Sequence, residues 1–270
     1  MSRAGGCVLR PLSRLCWKRI GVQCDGRAQN LSEVDMKGWP GEPQMAYDEL
    51  MARDAAATAE GEPITQVIFD FGNVLLYWNP EAVMIPRYSQ RLVDGFLDND
   101  ISSFYDANDL MDAGASLEEG VAYVREHKGE PWASMMRYYV DNFRDSLTGV
   151  VTGARVLIDD LHAAGIGVWG LSNWQQDLYQ IADRDCDLLG MLDGKVVSGQ
   201  VRMRKPNRDI YEYALHSFGI RARDSVFIDD KAMNIVGANQ AGIRGIRFRD
   251  PRKLRACLIA AGVPIPPVRD

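Results

Sequence analysis

Hydrophobic and polar residues alternate in blocks along the chain from residue 64 onward. Apolar runs typical of buried strands lie at 64–71 (ITQVIFDF), 165–173 (GIGVWGLSN), 224–230 (DSVFIDD) and 242–248 (GIRGIRF). Segments with helical spacing lie between these runs, at about 150–164, 174–184, 207–218 and 231–241. Because strands that are hydrophobic throughout need cover on both faces, this order predicts an α/β fold with a doubly wound parallel sheet.

One interval, 80–148, interrupts this alternation and carries only helical patterns. Ser116 is predicted to begin one of its helices, with Glu119 as the capping-box partner three residues later. Aromatic side chains are frequent in the interval, and at helical spacing they are more typical of a core than of a ligand site. We therefore expect an inserted α-helical cap at 80–148 on a core formed by 63–79 and 149–270.

The first part of the chain, residues 1–62, is rich in Gly, Ala and charged residues and shows little periodicity. This composition predicts a disordered N-terminal extension. Two other interpretations stay open. The segment before Asp25 is basic and has no acidic residue, as in a transit peptide, or the native protein starts at Met45 or Met51. An intact-mass measurement on native protein distinguishes them.

Composition narrows the possible partners and the compartment. The chain is 46% hydrophobic and 25% charged, which is ordinary for a globular protein, and its formal charge of -6 comes without a basic stripe, which argues against a nucleic-acid partner. No apolar run approaches the ~20 residues that span a bilayer, so we expect no membrane partner. The five cysteines form no CxxC pair and no even disulfide set, which favours free thiols and a cytoplasmic location.

Polar residues follow three of the predicted strands. Asp70 comes at the end of the first, Ser172 at the end of the second, and Asp229 with Asp230 at the end of the third. Open parallel sheets bind ligands at the edge where the carboxyl ends of their strands meet, so these side chains should converge. An aspartate in such a position is also commonly a turn residue or a helix cap, and that alternative stays open.

Four motifs, in this order, resemble those of a known family. They are FDFGNV at 69–74, LSN at 171–173, RKPNRDIY at 204–211 and FIDDKAMNIVGANQAGI at 227–243. Their order and strand placement are similar to the haloacid dehalogenase (HAD) superfamily, mostly phosphatases, and the resemblance spans 64–250. The chain most resembles the branch with a helical cap and a D-x-G-N first motif, to which a bacterial glucose-1-phosphate phosphatase belongs. The resemblance implies an HAD-like Rossmannoid core.

The resemblance also implies a role for the residues of these motifs. Asp70 would be the nucleophile that forms an aspartyl-phosphate, which water then hydrolyses. Lys205 would bind phosphate and offset the charge of Asp70, although a lysine seen alone is usually a solvated surface residue. Ser172 and Asn173 would donate hydrogen bonds to phosphate oxygens, and the loop at Asn73 would add backbone donors.

Magnesium is the cofactor that the resemblance implies. Mg²⁺ prefers oxygen ligands in octahedral geometry. The resemblance implies that the Mg²⁺ ligands are Asp70, the carbonyl of Gly72 and the pair of Asp229 and Asp230. Asp230 matches the main metal carboxylate of the family better than Asp229 does. Asn234 would orient a water molecule on the metal.

Gly72 departs from the pattern of the family, because phosphatases of this superfamily usually carry a second aspartate there as general acid. Such an acid is worth ~10² to 10⁴ in rate. An anomeric sugar phosphate needs it less, because its leaving oxygen is more acidic than an ordinary alcohol. We therefore expect a Mg²⁺-dependent phosphatase of small phosphorylated metabolites, such as a hexose 1-phosphate, that is a monomer or a homodimer. The alternatives are a 2-haloacid dehalogenase, whose halide needs no proton, and a non-catalytic regulator that binds a phosphorylated ligand.

Overall fold

The computed structural model describes residues 63–267, so the predictions for residues 1–62, including the starts at Met45 and Met51, lie outside the described residues. The strands are β1 (Gln66–Phe69), β2 (Leu76–Trp78), β3 (Leu147–Val150), β4 (Gly167–Ser172), β5 (Gly194–Val197), β6 (Ser225–Asp229) and β7 (Arg244–Arg247). Five of them form a parallel sheet in the order β5-β4-β1-β6-β7. The other two, β2 and β3, form a separate antiparallel pair.

Helices fill the intervals between these strands. They are α1 (Pro80–Met84), α2 (Gln90–Leu97), α3 (Asn99–Ser102), α4 (Phe104–Asp112), α5 (Leu117–Lys128), α6 (Trp132–Asp141), α7 (Ala154–Ala163), α8 (Gln176–Asp185), α9 (Ser198–Val201), α10 (Arg208–Phe218), α11 (Ala232–Gln240) and α12 (Pro251–Ala260). Short 3-10 helices lie at Phe143–Ser146, Asp187–Met191 and Ala222–Asp224. Within the described residues, none of the helices has the length and apolar character that crossing a membrane requires.

The central strand β1 is buried on both faces of the sheet. Val67 and Phe69 pack into one hydrophobic core together with residues of α7 and α12, whereas Ile68 packs into a second core with α10 and α11. Successive side chains of a strand point to opposite faces, so an unbroken apolar run is what a central strand needs. The predicted doubly wound parallel sheet is confirmed.

Three strands were missing from the sequence prediction. The edge strand β5 has only four residues, and its first two, Gly194 and Lys195, are only half-buried, so it carries no continuous apolar run. In the pair of β2 and β3, most side chains of β3 are exposed. Short strands at an edge or outside the main sheet lack the burial that makes a strand recognisable from its sequence.

The segment between β2 and β3 is helical from Pro80 to Asp141, and α4, α5 and α6 pack on one another. Its aromatic rings are mostly core, as predicted: Phe104 and Tyr139 are fully buried, with ring centroids 5.0 Å apart. The predicted capping box of Ser116 and Glu119 begins α5. The division of the chain into a core and a cap at 80–148 stays a prediction.

Candidate active site

Neighbouring strands bring the predicted polar residues to one edge of the sheet. β1 pairs with β4 on one side and with β6 on the other. Asp70 directly follows β1, level with Asp229 at the end of β6, and Ser172 ends β4 one residue beyond this level. The backbone N–H of Asp70 donates to the carbonyl of Ile228 at 2.8 Å and so fixes this residue beside β6. The convergence at the carboxyl edge therefore follows from the parallel pairing.

One carboxylate oxygen of Asp70 is held by three donors. Oδ1 accepts the backbone N–H of Phe71 at 2.7 Å and the hydroxyl of Ser172 at 2.7 Å, and the Nζ of Lys205 lies 2.9 Å away. The second oxygen, Oδ2, accepts no hydrogen bond from the described part of the chain. Asp70 thus has a fixed orientation and one oxygen available for a ligand or for attack.

Lys205 is a buried ammonium with three acceptors. Its side chain is 1% exposed, and Nζ contacts the carbonyl of Leu171 at 2.9 Å, Asp229 Oδ2 at 2.7 Å and Asp70 Oδ1 at 2.9 Å. Burial alone would lower the pKa of Lys205, but the attraction of Asp229 and Asp70 outweighs it and raises the pKa. The lysine is therefore charged and not a surface residue. Its three N–H groups are already used, so a phosphate would have to share one of them.

Asn173 holds the backbone of Lys205. Its Nδ2 donates to the carbonyl of Lys205 at 2.9 Å, and its Oδ1 accepts the N–H of Lys205 at 2.8 Å. The amide of Asn173 and the hydroxyl of Ser172 are thus both occupied by groups of the site. The predicted hydrogen bonds from these side chains to phosphate stay predictions.

Asp229 and Asp230 differ in their surroundings. Asp229 is fully buried; its Oδ1 accepts the N–H of Lys231 at 2.8 Å, and the Nδ2 of Asn234 lies 3.0 Å from each of its oxygens. Asp230 is only partly buried. Burial raises the pKa of Asp230, and the charge of Asp70 raises that pKa further. The amide of Asn234 therefore fixes Asp229 in this structure, whereas its predicted bond to a metal-bound water stays a prediction.

The three aspartates fit a divalent cation. Asp70, Asp229 and Asp230 each offer a carboxylate oxygen, and these oxygens lie within 4.8 Å of one another. Burial is the main cause that raises the pKa of Asp229 to about 7, and Asp70 and Asp230 add to it against the opposing effect of Lys205. Oxygen donors at this spacing suit Mg²⁺. Both oxygens of Asp229 already accept hydrogen bonds. Asp70 and Asp230 therefore have more carboxylate lone pairs available to bind a cation.

The loop after Asp70 is open at Gly72 and shaped by Asn73. A Cβ atom built on Gly72 meets nothing within 4 Å, so crowding does not explain the missing aspartate there. Asn73 has a φ of 57, a left-handed conformation that asparagine tolerates, and its Oδ1 accepts the N–H of Trp78 at 3.2 Å. The Nε1 of Trp78 donates to the hydroxyl of Tyr139 at 3.0 Å, which joins this loop to α6.

Sequence reasoning did not identify the contacts between α4 and this edge. Asp109 pairs with Arg204 at 2.8 Å, directly before Lys205, and Asp112 is buried against the loop after Ser172. In the sequence both aspartates lie on an amphipathic helix and are indistinguishable from solvated surface acids. Only the packing of α4 against the sheet edge separates them from such acids.

Comparison with known proteins gives the following similarities. Residues 67–248 match the family described as haloacid dehalogenase-like hydrolases. A sesquiterpene phosphatase of Aspergillus oryzae is 24% identical over 194 residues, 71% of this chain and 92% of that enzyme. An (S)-2-haloacid dehalogenase of Burkholderia cepacia is 26% identical over 91 residues, 34% of this chain and 39% of that enzyme. The fold is similar to a magnesium complex of a HAD family enzyme from Bacteroides thetaiotaomicron, with a TM-score of 0.55 and 18% identity over 70% of this chain and 95% of that one.

Proposed function

The chain belongs to the haloacid dehalogenase-like hydrolases, and from this premise we propose that it is a Mg²⁺-dependent phosphatase of small phosphorylated metabolites. The observation that carries the proposal is the environment of Asp70. One of its oxygens is fixed beside a buried ammonium, and its carboxylate belongs to a cluster of three aspartates that suits a cation. The relative from Aspergillus oryzae, a phosphatase, supports the same class of reaction.

Asp70 is the proposed nucleophile. One carboxylate oxygen of Asp70 attacks phosphorus, the bond from phosphorus to the leaving oxygen breaks, and an aspartyl-phosphate forms that water then hydrolyses. A carboxylate that approaches a phosphate is repelled by about 4 kcal/mol per charge pair at ~4 Å and an effective dielectric constant of ~20. Lys205 lowers this repulsion because its ammonium lies 2.9 Å from Asp70. Ser172 keeps the attacking group in one orientation through the bond to Oδ1.

Asp70, Asp230 and the carbonyl of Gly72 are the proposed Mg²⁺ ligands, with Asp229 beside them. These residues would hold Mg²⁺, which would supply positive charge to offset the carboxylates and the phosphate. Asp229 and Asn234 are proposed to keep Lys205 charged and in place, because Asp229 bonds both of them. Asn173 is proposed to hold the backbone of Lys205 in place. The backbone N–H groups of the loop at Asn73 are proposed to donate hydrogen bonds to the phosphate.

The proposed substrate is a phosphate ester of a small metabolite, such as a hexose 1-phosphate. An anomeric oxygen leaves with less help from an acid than an ordinary alcohol does, so such a substrate tolerates a glycine at position 72. The similarity to a sesquiterpene phosphatase makes a sesquiterpenyl phosphate the other substrate to test. We propose that the helices of 80–148 form the cap over this substrate. We propose that the protein acts in the cytoplasm as a monomer or a homodimer. Cys186 and Cys257 are free thiols, which fits a reducing compartment.

A 2-haloacid dehalogenase is the second candidate. The missing aspartate at position 72 favours it, because a halide leaves without a proton, and one relative has this activity. The cluster of Asp70, Asp229 and Asp230 argues against a dehalogenase. Three carboxylates at this spacing suit a bound cation, and displacement of halide needs no cation. A non-catalytic regulator would have no need for a free Asp70 oxygen beside a buried lysine.

The activity is tested with the purified protein on a panel of substrates. We expect release of inorganic phosphate from a hexose 1-phosphate, a sesquiterpenyl phosphate or another metabolite of the panel in the presence of Mg²⁺. Chelation by EDTA should abolish the release and added Mg²⁺ should restore it, because the carboxylates need a counter-charge before they can accept a phosphate. Phosphate is measured by a colorimetric assay. Halide release from 2-haloacids without metal would make the protein a dehalogenase, and binding without turnover would make it a regulator.

A further inference from the structure

Asp112, the last residue of α4, lies close to residues from three of the four motif loops. The backbone N–H of Gln175, just after the second motif, is close enough to the carboxyl group of Asp112 to favour its charged form. Lys231, just after Asp230, and Arg204, just before Lys205, are close enough to attract its charge. Because these loops meet at the carboxyl edge of the sheet, Asp112 lies over the same edge as the nucleophile.

Hydrogen bonds fix the end of α4 at this place. The hydroxyl of Ser198 donates to the carbonyl of Asp112 at 2.6 Å and accepts the N–H of Trp174 at 2.9 Å. One turn earlier, the carboxylate of Asp109 pairs with Arg204 at 2.8 Å. The position of Asp112 is therefore set by the core as well as by its own helix.

Tyr139 lies near both Asp112 and the segment that follows the first motif. The hydroxyl of Tyr139 accepts the Nε1–H of Trp78, a residue shortly after the nucleophile loop. Tyr139 is also close enough to Asp112 for the charge of that residue to raise the pKa of its hydroxyl. Asp112 is 7% exposed, the same fraction as Asp70. Asp112 therefore brings a buried carboxyl group to the edge where the nucleophile loop carries only a glycine, at position 72.

We propose that Asp112 is the general acid of the reaction, in place of the aspartate that Gly72 lacks; this rests on the proposed phosphatase function. When Asp70 attacks phosphorus, the bond from phosphorus to the leaving oxygen breaks, and the carboxylic acid of Asp112 gives its proton to that oxygen. The alcohol leaves and Asp112 becomes a carboxylate. It then takes a proton from the water that hydrolyses the aspartyl-phosphate, which frees phosphate and restores both aspartates.

The surroundings of Asp112 keep its acid form at neutral pH. The pKa of Asp112 is raised to about 7, mainly by burial and to a smaller extent by the negative charge of Asp109. Lys231, Arg204 and the N–H of Gln175 favour the charged form and limit this rise. The amide of Asn108 donates to Oδ2 at 3.2 Å. A carboxyl group with this pKa is protonated below pH 7 and loses its proton as the pH rises through it. The rate of reactions that need a proton from Asp112 should therefore decrease above neutral pH.

The role is tested with two aromatic phosphates of similar shape, benzyl phosphate and p-nitrophenyl phosphate. Benzyl alcohol is a poor leaving group that needs a proton, whereas p-nitrophenolate leaves without one. In the variant Asp112→Asn we expect kcat/KM for benzyl phosphate to fall about 10²- to 10⁴-fold, with less than about a tenfold change for p-nitrophenyl phosphate. This ratio reports the steps up to departure of the leaving group, so slow hydrolysis of the phosphoenzyme does not mask it.

The matched control is Asp106→Asn, which removes the same charge from an exposed position of the same helix and should show no selectivity between the two substrates. The pH profile of the unmodified protein gives an independent reading, because kcat/KM should fall above pH 7 for benzyl phosphate only. Equal losses for both substrates in Asp112→Asn, or identical pH profiles, would overturn the proposal and leave Asp112 as a positioning residue. If the unmodified protein released no phosphate from these esters or from any substrate of the metabolite panel with Mg²⁺, the proposed function itself would be wrong.

Discussion

Asp70→Asn is expected to abolish the Mg²⁺-dependent release of phosphate. Asparagine keeps the shape of the side chain and can still accept the bonds from Phe71 and Ser172 through its oxygen, but its amide nitrogen cannot attack phosphorus. We expect kcat/KM to fall by about 10³-fold or more, which corresponds to ~4 kcal/mol of transition-state stabilisation. The measurement is steady-state phosphate release with the best substrate of the panel.

The control for this variant is Asp159→Asn, an equal change of charge on the exposed side of α7, which should keep the unmodified rate. A phosphoenzyme provides a second reading. Acid-quenched protein should carry one phosphoryl group when Asp70 is present and none in Asp70→Asn. Full phosphatase activity in Asp70→Asn would refute the mechanism, whatever the substrate.

The convergence of polar residues at one edge of the sheet could be predicted from sequence because their positions follow from local patterns. Asp70, Ser172 and Asp229 each end an apolar strand, and a parallel sheet brings such ends together whatever the loops do. Their hydrogen bonds could not be predicted in the same way. That Ser172 bonds Asp70, and that Asn173 bonds the backbone of Lys205, depends on how loops from different strands pack.

The contribution of the inserted helices was the least predictable part. Asp112 gives no signal in sequence, because an aspartate near the end of an amphipathic helix is normally solvated. Its burial results from packing of α4 against α9 and the loop at Gln175, which are far from it in the chain. The sequence does show, at Gly72, that a function is missing from the nucleophile loop. It does not show where a replacement would come from.

Lys205→Ala is expected to damage both activity and stability far more than Lys231→Ala does. Lys205 lies between Asp70 and Asp229 with both nitrogen–oxygen distances below 3 Å, and removing it leaves two buried carboxylates without a counter-charge. Loss of one partner from a buried ion pair costs about 3 to 5 kcal/mol of folding free energy. The side chain of Lys231 is exposed, so its removal should cost less than about 0.5 kcal/mol.

The two lysine variants are compared by urea unfolding and by kcat/KM with the same substrate. We expect Lys205→Ala to unfold at lower urea and to lose about 10²-fold or more in kcat/KM, because repulsion between Asp70 and the phosphate is no longer offset. Lys205→Met preserves the packing of the aliphatic chain and separates loss of charge from loss of volume. If Lys205→Ala and Lys231→Ala weakened activity equally, the ammonium at position 205 would not be the one that offsets the nucleophile, because an exposed neighbour would then serve as well.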